Sequence, residues 1–291
     1  MRQIAILTAT YNHPDELRRL RDSLLKQDDR DFFWLVVDDG SKVPAERAVR
    51  APGIVYDFEV EVLQQKNGGK ARAVNCGLDR LAGAEFILIV DDDEQLAENA
   101  VSVLRAYVEK YRDTDCGVIH FNRADENGKP IIDPFIPNDY YMPYQQSKRL
   151  KRHADGYIGY FTEKLGDERF PVFEGEKYVG PSVLFMKVTE HSQLLWAPTI
   201  LGQTEYLEGG ITKQGRRLRI RNPHGMIWYC SLFQTKEAGL RNRFVYSVHG
   251  YAYLKLAGLR RKNVEAARKL NPLCALPGMA LAALWKRKYG V

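Results

Sequence analysis

The segment AEFILIVDDDE (84–94) sets five consecutive apolar residues, Phe86 to Val90, directly against three aspartates, Asp91, Asp92 and Asp93. A short unbroken apolar run that ends in a polar cluster reads as a strand buried on both faces, the kind found in parallel sheets covered by helices. Upstream, NGGKARAVNCGLDRLAG (67–83) reads as a glycine turn followed by a helix. Downstream, QLAENAVSVLRAYVEKYRD (95–113) has helical periodicity and CGVIHFNR (116–123) is the next strand. Further out, FFWLVVDDGS (32–41) repeats the pattern of a buried strand ending in acids, and YDFEVEVLQQ (56–65) alternates like a half-exposed strand. IAILTAT (4–10) opens the series. HPDELRRLRDSLLKQ (13–27) follows it with Pro14 at a helix entry, Asp15 and Glu16 near the positive helix end, and Leu17, Leu20 and Leu24 on one face. The alternation predicts an α/β fold with a mostly parallel central sheet flanked by helices.

Ligands of such sheets bind outside the carboxyl ends of the strands. Three strands end there in polar groups: Thr8, Thr10, Tyr11 and Asn12; Asp38 and Asp39; and the aspartate triplet. Three adjacent carboxylates repel one another, and a hard divalent ion, Mg²⁺ or Mn²⁺, compensates them. The alternative is a solvated turn whose acids cap a helix starting near Gln95. Asp39 has a similar choice, between accepting hydrogen bonds from a nucleobase or ribose and forming a simple Asx turn. Asn67-Gly68-Gly69-Lys70-Ala71-Arg72 brings two cations to a helix start, an arrangement suited to a polyanion. It is not a GxxxxGK[ST] loop, and no GxGxxG follows the first strand.

Composition narrows the classes. The chain has 291 residues, 45% hydrophobic and 27% charged, enough for a sizeable core and unlike a disordered or fibrous chain. Its four cysteines, Cys76, Cys116, Cys230 and Cys274, form no CxxC pair, which argues against a zinc knuckle or disulfide framework and fits a reducing, cytosolic setting. The six histidines show no HxxxH spacing. No leader-like start and no spanning run of apolar residues is present, so the expectation is a protein neither secreted nor integral. The net charge of +6 resides in the tail: residues 260–291 hold eight Lys/Arg against Glu265, and the other 259 residues hold 35 basic against 36 acidic. A balanced body argues against a nucleic-acid partner.

TATYN, VVDDGS, NGGKARAVNCGL and ILIVDDDE, in this order and at these spacings, resemble the nucleotide-binding half of the family 2 glycosyltransferases with the GT-A fold. The resemblance covers roughly residues 1–125. It implies a nucleotide-diphosphate sugar donor, UDP-linked, with Thr8, Thr10 and Tyr11 beside base and ribose, Asp39 on uracil or ribose, Lys70 and Asp92 on the nucleotide side, and Asp91 and Asp93 as the DXD pair that holds Mg²⁺ or Mn²⁺ against the diphosphate. It also implies inversion by single displacement, with a carboxylate base 80 to 100 residues after the DXD pair. RFPVFEGEKYVGPS (169–182) falls in that window and offers Glu176, then Glu174. Relatives carry a Glu-Asp pair in this region, where this chain reads GPS. QTEYLEGGIT (203–212) resembles an acceptor-side acidic segment, so Glu205 and Glu208 either touch sugar hydroxyls or sit at a turn. The Tyr-rich DYYMPYQQ (139–146) either packs as core or stacks on a sugar or lipid.

The domain reading that follows gives residues 1–125 to the donor, 126–240 to the acceptor and 241–291 to a helical, basic extension. PLCALPGMALAALW (272–285), followed by Lys286-Arg287-Lys288, is too short to span a bilayer but suits its interface. The expectation is a peripheral enzyme on the inner face of the cell membrane, adding one sugar to a saccharide or polyprenyl-diphosphate-linked acceptor. No QxxRW-like motif points to a processive synthase. The rivals are a nucleotidyltransferase, which would carry a glycine-rich loop after the first strand, and a non-catalytic membrane-associated scaffold, which would bind no nucleotide.

Overall fold

The computed structural model describes residues 4–125, 127–133, 138–142, 153–154, 156–204 and 211–290. The chain divides into two units. Met1–Tyr144, Lys151–Arg169 and Lys187–Leu207 form the first, and Gln145–Leu150, Phe170–Met186 and Glu208–Val291 the second.

In the first unit β1 (Ile4–Thr10), β2 (Phe32–Asp38), β3 (Glu59–Gln64) and β4 (Phe86–Ile89) lie in the order β3-β2-β1-β4, all parallel. The register sets Thr10 opposite Asp38 and Asp38 opposite Gln64, so these strands end at one level. β1 and β2 are buried almost throughout because they lie between helix layers. α1 (Pro14–Leu24) begins at Pro14, where a missing N–H costs no helical bond, and buries Leu17, Leu20 and Leu24 on the core of Ile4, Ile6, Trp34 and Val36. Each such leucine contributes about 1.5–3 kcal/mol. α2 (Glu46–Val49) is a single turn after β2, and α3 (Lys70–Arg80) approaches β1 closely at Gly77, where a Cβ would sit 2.2 Å from Leu7.

Beyond β4 the sheet changes character. Its path continues through β10 (Gly156–Phe161), β6 (Cys116–Ala124), β11 (Gln193–Thr204) and β5 (Glu94–Leu96), with β8 (Tyr140–Met142) on β11, while β7 (Ile132–Asp133) and β9 (His153–Ala154) pair apart from it. β10 is antiparallel to both neighbours, and β11 is parallel to β6 but antiparallel to β5 and β8. The parallel character therefore holds for the first half of the sheet, and the second half is mixed. The helix expected from Gln95 begins later: α4 is Ala100–Tyr111, because Glu94–Leu96 pairs with β11 instead. With this, the reading of the aspartates as caps of a helix near Gln95 falls. The tyrosine run contributes β8, where Tyr141 packs edge-on against Tyr111 of α4, 5.5 Å between centroids. Its residues 143–146 lie outside the described residues.

The second unit is helical. Met226 and Ile227 from the helix Pro223–Leu232, Ala252 and Tyr253 from the helix Gly239–Leu256, and Ala282 and Trp285 from the C-terminal helix Ala275–Tyr289 share one buried cluster. All four cysteines are free thiols.

Candidate active site

The loops after β1 and β2 are braced on each other. Asn12 adopts a left-handed backbone, φ 57°; its N–H donates to Ser41 Oγ (2.8 Å) and its Oδ1 accepts from the Lys42 N–H (2.8 Å). Asp38 forms the turn, accepting from the backbone N–H of Ser41 and of Ala45. Asp39 turns the other way. Its carboxylate, 3% exposed, accepts from Gln65 Nε2 (2.7 Å), Asn67 Nδ2 (3.1 Å) and the N–H groups of Gly68 (2.8 Å) and Gly69 (2.7 Å). These four donors use the acceptor capacity of a carboxylate. Asp39 thereby locks the Asn67-Gly68-Gly69 turn, in which Gly69 has φ 93° and α3 starts at Lys70. The family resemblance implies Asp39 on uracil or ribose, with a turn as the alternative; here its oxygens hold the loop.

That turn delivers Lys70 to the aspartates. Lys70 Nζ lies 2.5 Å from Asp91 Oδ2, both side chains being about two-fifths exposed. Burial pushes the Asp91 carboxyl up, but the Lys70 ammonium outweighs it and holds the group below the usual carboxylate value. Asp92 turns inward, accepting from Thr10 Oγ1 (2.6 Å) and facing His13 Nδ1 at 3.2 Å. The hydrogen bond to Asp92, opposed by burial, raises the His13 pKa. Asp93 pairs with no basic side chain among the described residues; burial, then the charges on Asp91 and Asp92, push its carboxyl up.

Behind the triplet, Glu94 and Arg123 form a buried ion pair, and Glu94 Oε2 accepts from the Asp91 N–H (3.0 Å). Burial and the charge on Asp91 push the Glu94 carboxyl up, with Arg123 opposing. The buried brace is thus built from β5 and β6, and it fixes the peptide that carries the first aspartate. Neither Glu94 nor Arg123 was singled out from the sequence, because a charge inside a strand reveals its role only through its tertiary partner. Asn12 was legible in principle as a residue tolerant of left-handed turns.

The other expected donor residues separate. Tyr11 is exposed at the loop, and Thr10 is tied to Asp92. Thr8 is wholly buried and accepts from Trp34 Nε1 (3.2 Å), so its side chain is committed to the core instead of a ligand. Among the described residues no three His, Cys, Asp or Glu side chains converge as a closed metal cage. An open pair suits Mg²⁺ or Mn²⁺, which take one or two carboxylates and complete their shell with substrate phosphate and water. Asp91 and Asp93 are two such carboxylates on one turn, neither turned into the core as Asp92 is.

Glu174 and Glu176 belong to the second unit. Glu176 Oε1 accepts from the His224 N–H (2.7 Å) and lies 2.9 Å from His224 Nδ1, while Oε2 accepts from the Gly225 N–H (2.9 Å). Its side chain is 6% exposed. It closes the first turn of the helix Pro223–Leu232, and Asn222 Oδ1 ties the next two residues by accepting from the N–H groups of Lys177 and Tyr178. Occupied in this way, Glu176 is poorly placed to take a proton, which departs from its expected role as base. Glu174 is exposed. Glu205 and Glu208 lie outside the described residues.

Carboxylates, a lysine and braced loops thus meet at the carboxyl ends of the parallel strands, the edge at which sheets of this kind bind ligands. The model of the glycosyl transferase family 2 matches residues 5–165, and the chain belongs to that family. Glycosyltransferase GlyG of Streptococcus pneumoniae is 32% identical over 125 residues, 43% of this chain and 40% of GlyG. The matches span at most about half the length of the first curated relatives. S. aureus TarS 1-349 in complex with UDP-GlcNAc superposes with a TM-score of 0.63 at 17% identity, covering 98% of this chain and 92% of that one. Mannosyltransferase PcManGT from Pyrobaculum calidifontis, in complex with GDP-Man and Mn²⁺, gives 0.58 at 18% identity, covering 98% and 80%. The fold is GT-A-like, resembling the TarS structure.

Proposed function

We propose that this chain is an inverting, metal-dependent glycosyltransferase that moves one sugar from a nucleotide-diphosphate donor, UDP-linked, to a hydroxyl of a lipid-linked or saccharide acceptor in cell-surface polysaccharide synthesis. The observation that carries the reading is the divided triplet: Asp91 attracts Lys70, Asp92 is tied inward, and Asp93 forms no ion pair among the described residues. Family membership and the ligands named for TarS and PcManGT support it.

Asp91 and Asp93 would hold Mg²⁺ or Mn²⁺, which supplies Lewis-acid neutralisation of the departing diphosphate. Lys70 adds a cation at the start of α3, where the positive end of the helix dipole also favours an anion. Thr10 and His13 keep Asp92 turned in, and the Glu94–Arg123 pair holds the Asp91 peptide, so the turn is set before a ligand arrives. On the acceptor side one carboxylate must take the hydroxyl proton. Glu174, exposed, takes that role in this reading, and Glu176 anchors the segment that carries it. Residues 1–125 serve the donor and 126–240 the acceptor, with the protein working peripherally on the inner membrane face.

Thermal shift with UDP, dTDP and GDP, with and without Mn²⁺, on wild type and Asp93→Ala tests the donor half. Metal-dependent stabilisation by UDP that vanishes in the variant is expected. Stabilisation by GDP alone changes the donor, and no shift with any nucleotide overturns the reading in favour of a scaffold.

A further inference from the structure

The C-terminal helix Ala275–Tyr289 is apolar on both sides along most of its length, and only one side has a partner. Its inner face, Gly278, Ala282 and Trp285, is buried. Trp285 lies between the His249 and Tyr253 rings, 5.5 and 5.2 Å away, with the Arg216 guanidinium 4.4 Å over it. The outer face is open: Leu276 is 74% exposed and Leu284 59%, with Met279 and Ala280 between them, and Leu273 just before the helix is 86% exposed. Next to this end, the helix Gly239–Leu256 exposes Leu240 and Phe244 beside Arg241 and Arg243; Cys274 Sγ lies 4.0 Å from the Phe244 carbonyl, which sets the two helix starts side by side. A soluble helix turns polar residues outward, and one that is apolar all round requires a cover on each side.

Charge selects the cover. Lys286, Arg287 and Lys288 are exposed at the far end of the same helix, as are Lys262, Arg268 and Lys269 just before it, and Glu265 is the single acid in residues 260–291. A second copy seated on this face would bring another strongly cationic tail to the same seam, whereas an anionic bilayer offers both an apolar layer and negative headgroups. The helix has 15 residues, about 22 Å at ~1.5 Å per residue, short of the ~30 Å hydrocarbon core. Among the described residues no helix is long and apolar enough to cross a membrane.

We infer that the outer face of this helix, Leu273, Leu276, Met279 and Leu284, together with Leu240 and Phe244, lies in the interface of an anionic lipid bilayer, with Lys286, Arg287 and Lys288 on the headgroups. This gives the peripheral reading a definite surface, and it stands independently of the donor chemistry.

Flotation with phosphatidylglycerol–phosphatidylethanolamine vesicles against phosphatidylcholine vesicles tests it, on wild type, Leu276→Asp/Leu284→Asp, and Lys286→Gln/Arg287→Gln/Lys288→Gln. Wild type floats with the anionic vesicles. The leucine pair weakens binding by about tenfold or more per side chain withdrawn from lipid. The charge triple weakens it by about fivefold per cation and flattens its salt dependence. Both variants keep the wild-type melting temperature and nucleotide-induced shift, because their side chains project outward; this separates a failure here from a failure of the donor reading. Wild type that stays unbound, or binding that survives the leucine pair, overturns the inference. So does a wild-type dimer by light scattering that the leucine pair converts to monomer, which assigns the face to a second copy.

Discussion

Asp93 and Glu176 are both acids that the sequence offered to chemistry, and the structure treats them in opposite ways. At the ends of the parallel strands the carboxylates crowd one another, and burial with the charges on Asp91 and Asp92 pushes the Asp93 carboxyl up against the weaker pull of Lys70. In the second unit Glu176 meets two backbone N–H groups and an imidazole at a helix start. Crowded acids store a demand for a cation, which a ligand relieves; a saturated acid stores none and holds structure instead. The two are separable by experiment: variants of the first should cost binding and turnover, and variants of the second should cost stability.

The largest effect is expected behind the triplet, where both costs meet. Arg123→Leu leaves Glu94 buried without its cation, a loss of about 3–5 kcal/mol in unfolding free energy. The Arg123→Leu/Glu94→Leu double variant recovers most of that stability but not the donor affinity, since Asp91 then loses the acceptor for its N–H. Urea melts and a nucleotide titration read the two quantities apart. Full recovery of both makes the pair a piece of core with no bearing on the site.

Asp93→Ala comes next. Turnover of donor is expected to fall by about 10²–10³-fold, the scale of lost transition-state charge stabilisation. The metal-free melting temperature is expected to hold or rise, because a carboxyl pushed up by burial and its neighbours is removed. A large loss of stability places Asp93 with Glu176 and collapses the contrast.

Glu176→Ala is the mirror experiment. Losing the acceptor at the helix start costs about 1–2 kcal/mol, toward the upper range of a helix cap, with the nucleotide-induced shift unchanged. Glu176→Gln retains part of the stability, since one amide oxygen still accepts. Unchanged stability with abolished transfer returns Glu176 to the role of base and takes it from Glu174.

The contrast also marks where sequence reading stops. β1, β2, β4, α1 and α3 follow from local rules: unbroken apolar runs, Pro14 at a helix entry, a glycine turn before Lys70. β5 does not, because Gln95 and Leu96 read as the start of a helix and Glu94–Leu96 becomes a strand through its pairing with β11, a partner about a hundred residues away. β10 is hidden likewise: GYIGYF follows an irregular stretch, and its antiparallel insertion between β4 and β6 ends the parallel order. At the site, the motifs placed the aspartates, Lys70 and the glycine turn at one edge. They could not show that Asp39 and Glu176 spend their oxygens on backbone N–H groups, because an acid's hydrogen-bond partners are fixed by tertiary approach and a free and a saturated carboxylate share one letter.

The smallest effect is a pH dependence confined to the helical unit. His249 lies between Trp285 and Tyr246, and burial, followed by the charges of Arg216 and Arg219, lowers its pKa from 6.5 to about 4. Between these values the unfolded chain binds a proton that the folded chain refuses, so stability falls as pH drops through that window and the loss is complete once both states are protonated. His249→Phe keeps the stacked ring and removes the proton site, and its melting temperature is expected to vary less from pH 7 to 4 than that of wild type. Carboxylates elsewhere contribute a common background, so the informative quantity is the difference between the two curves. A difference that widens toward low pH assigns acid sensitivity to the helical unit. Parallel curves mean that His249 titrates normally, and the ring packing around Trp285 that supports the C-terminal helix is then looser than its geometry indicates.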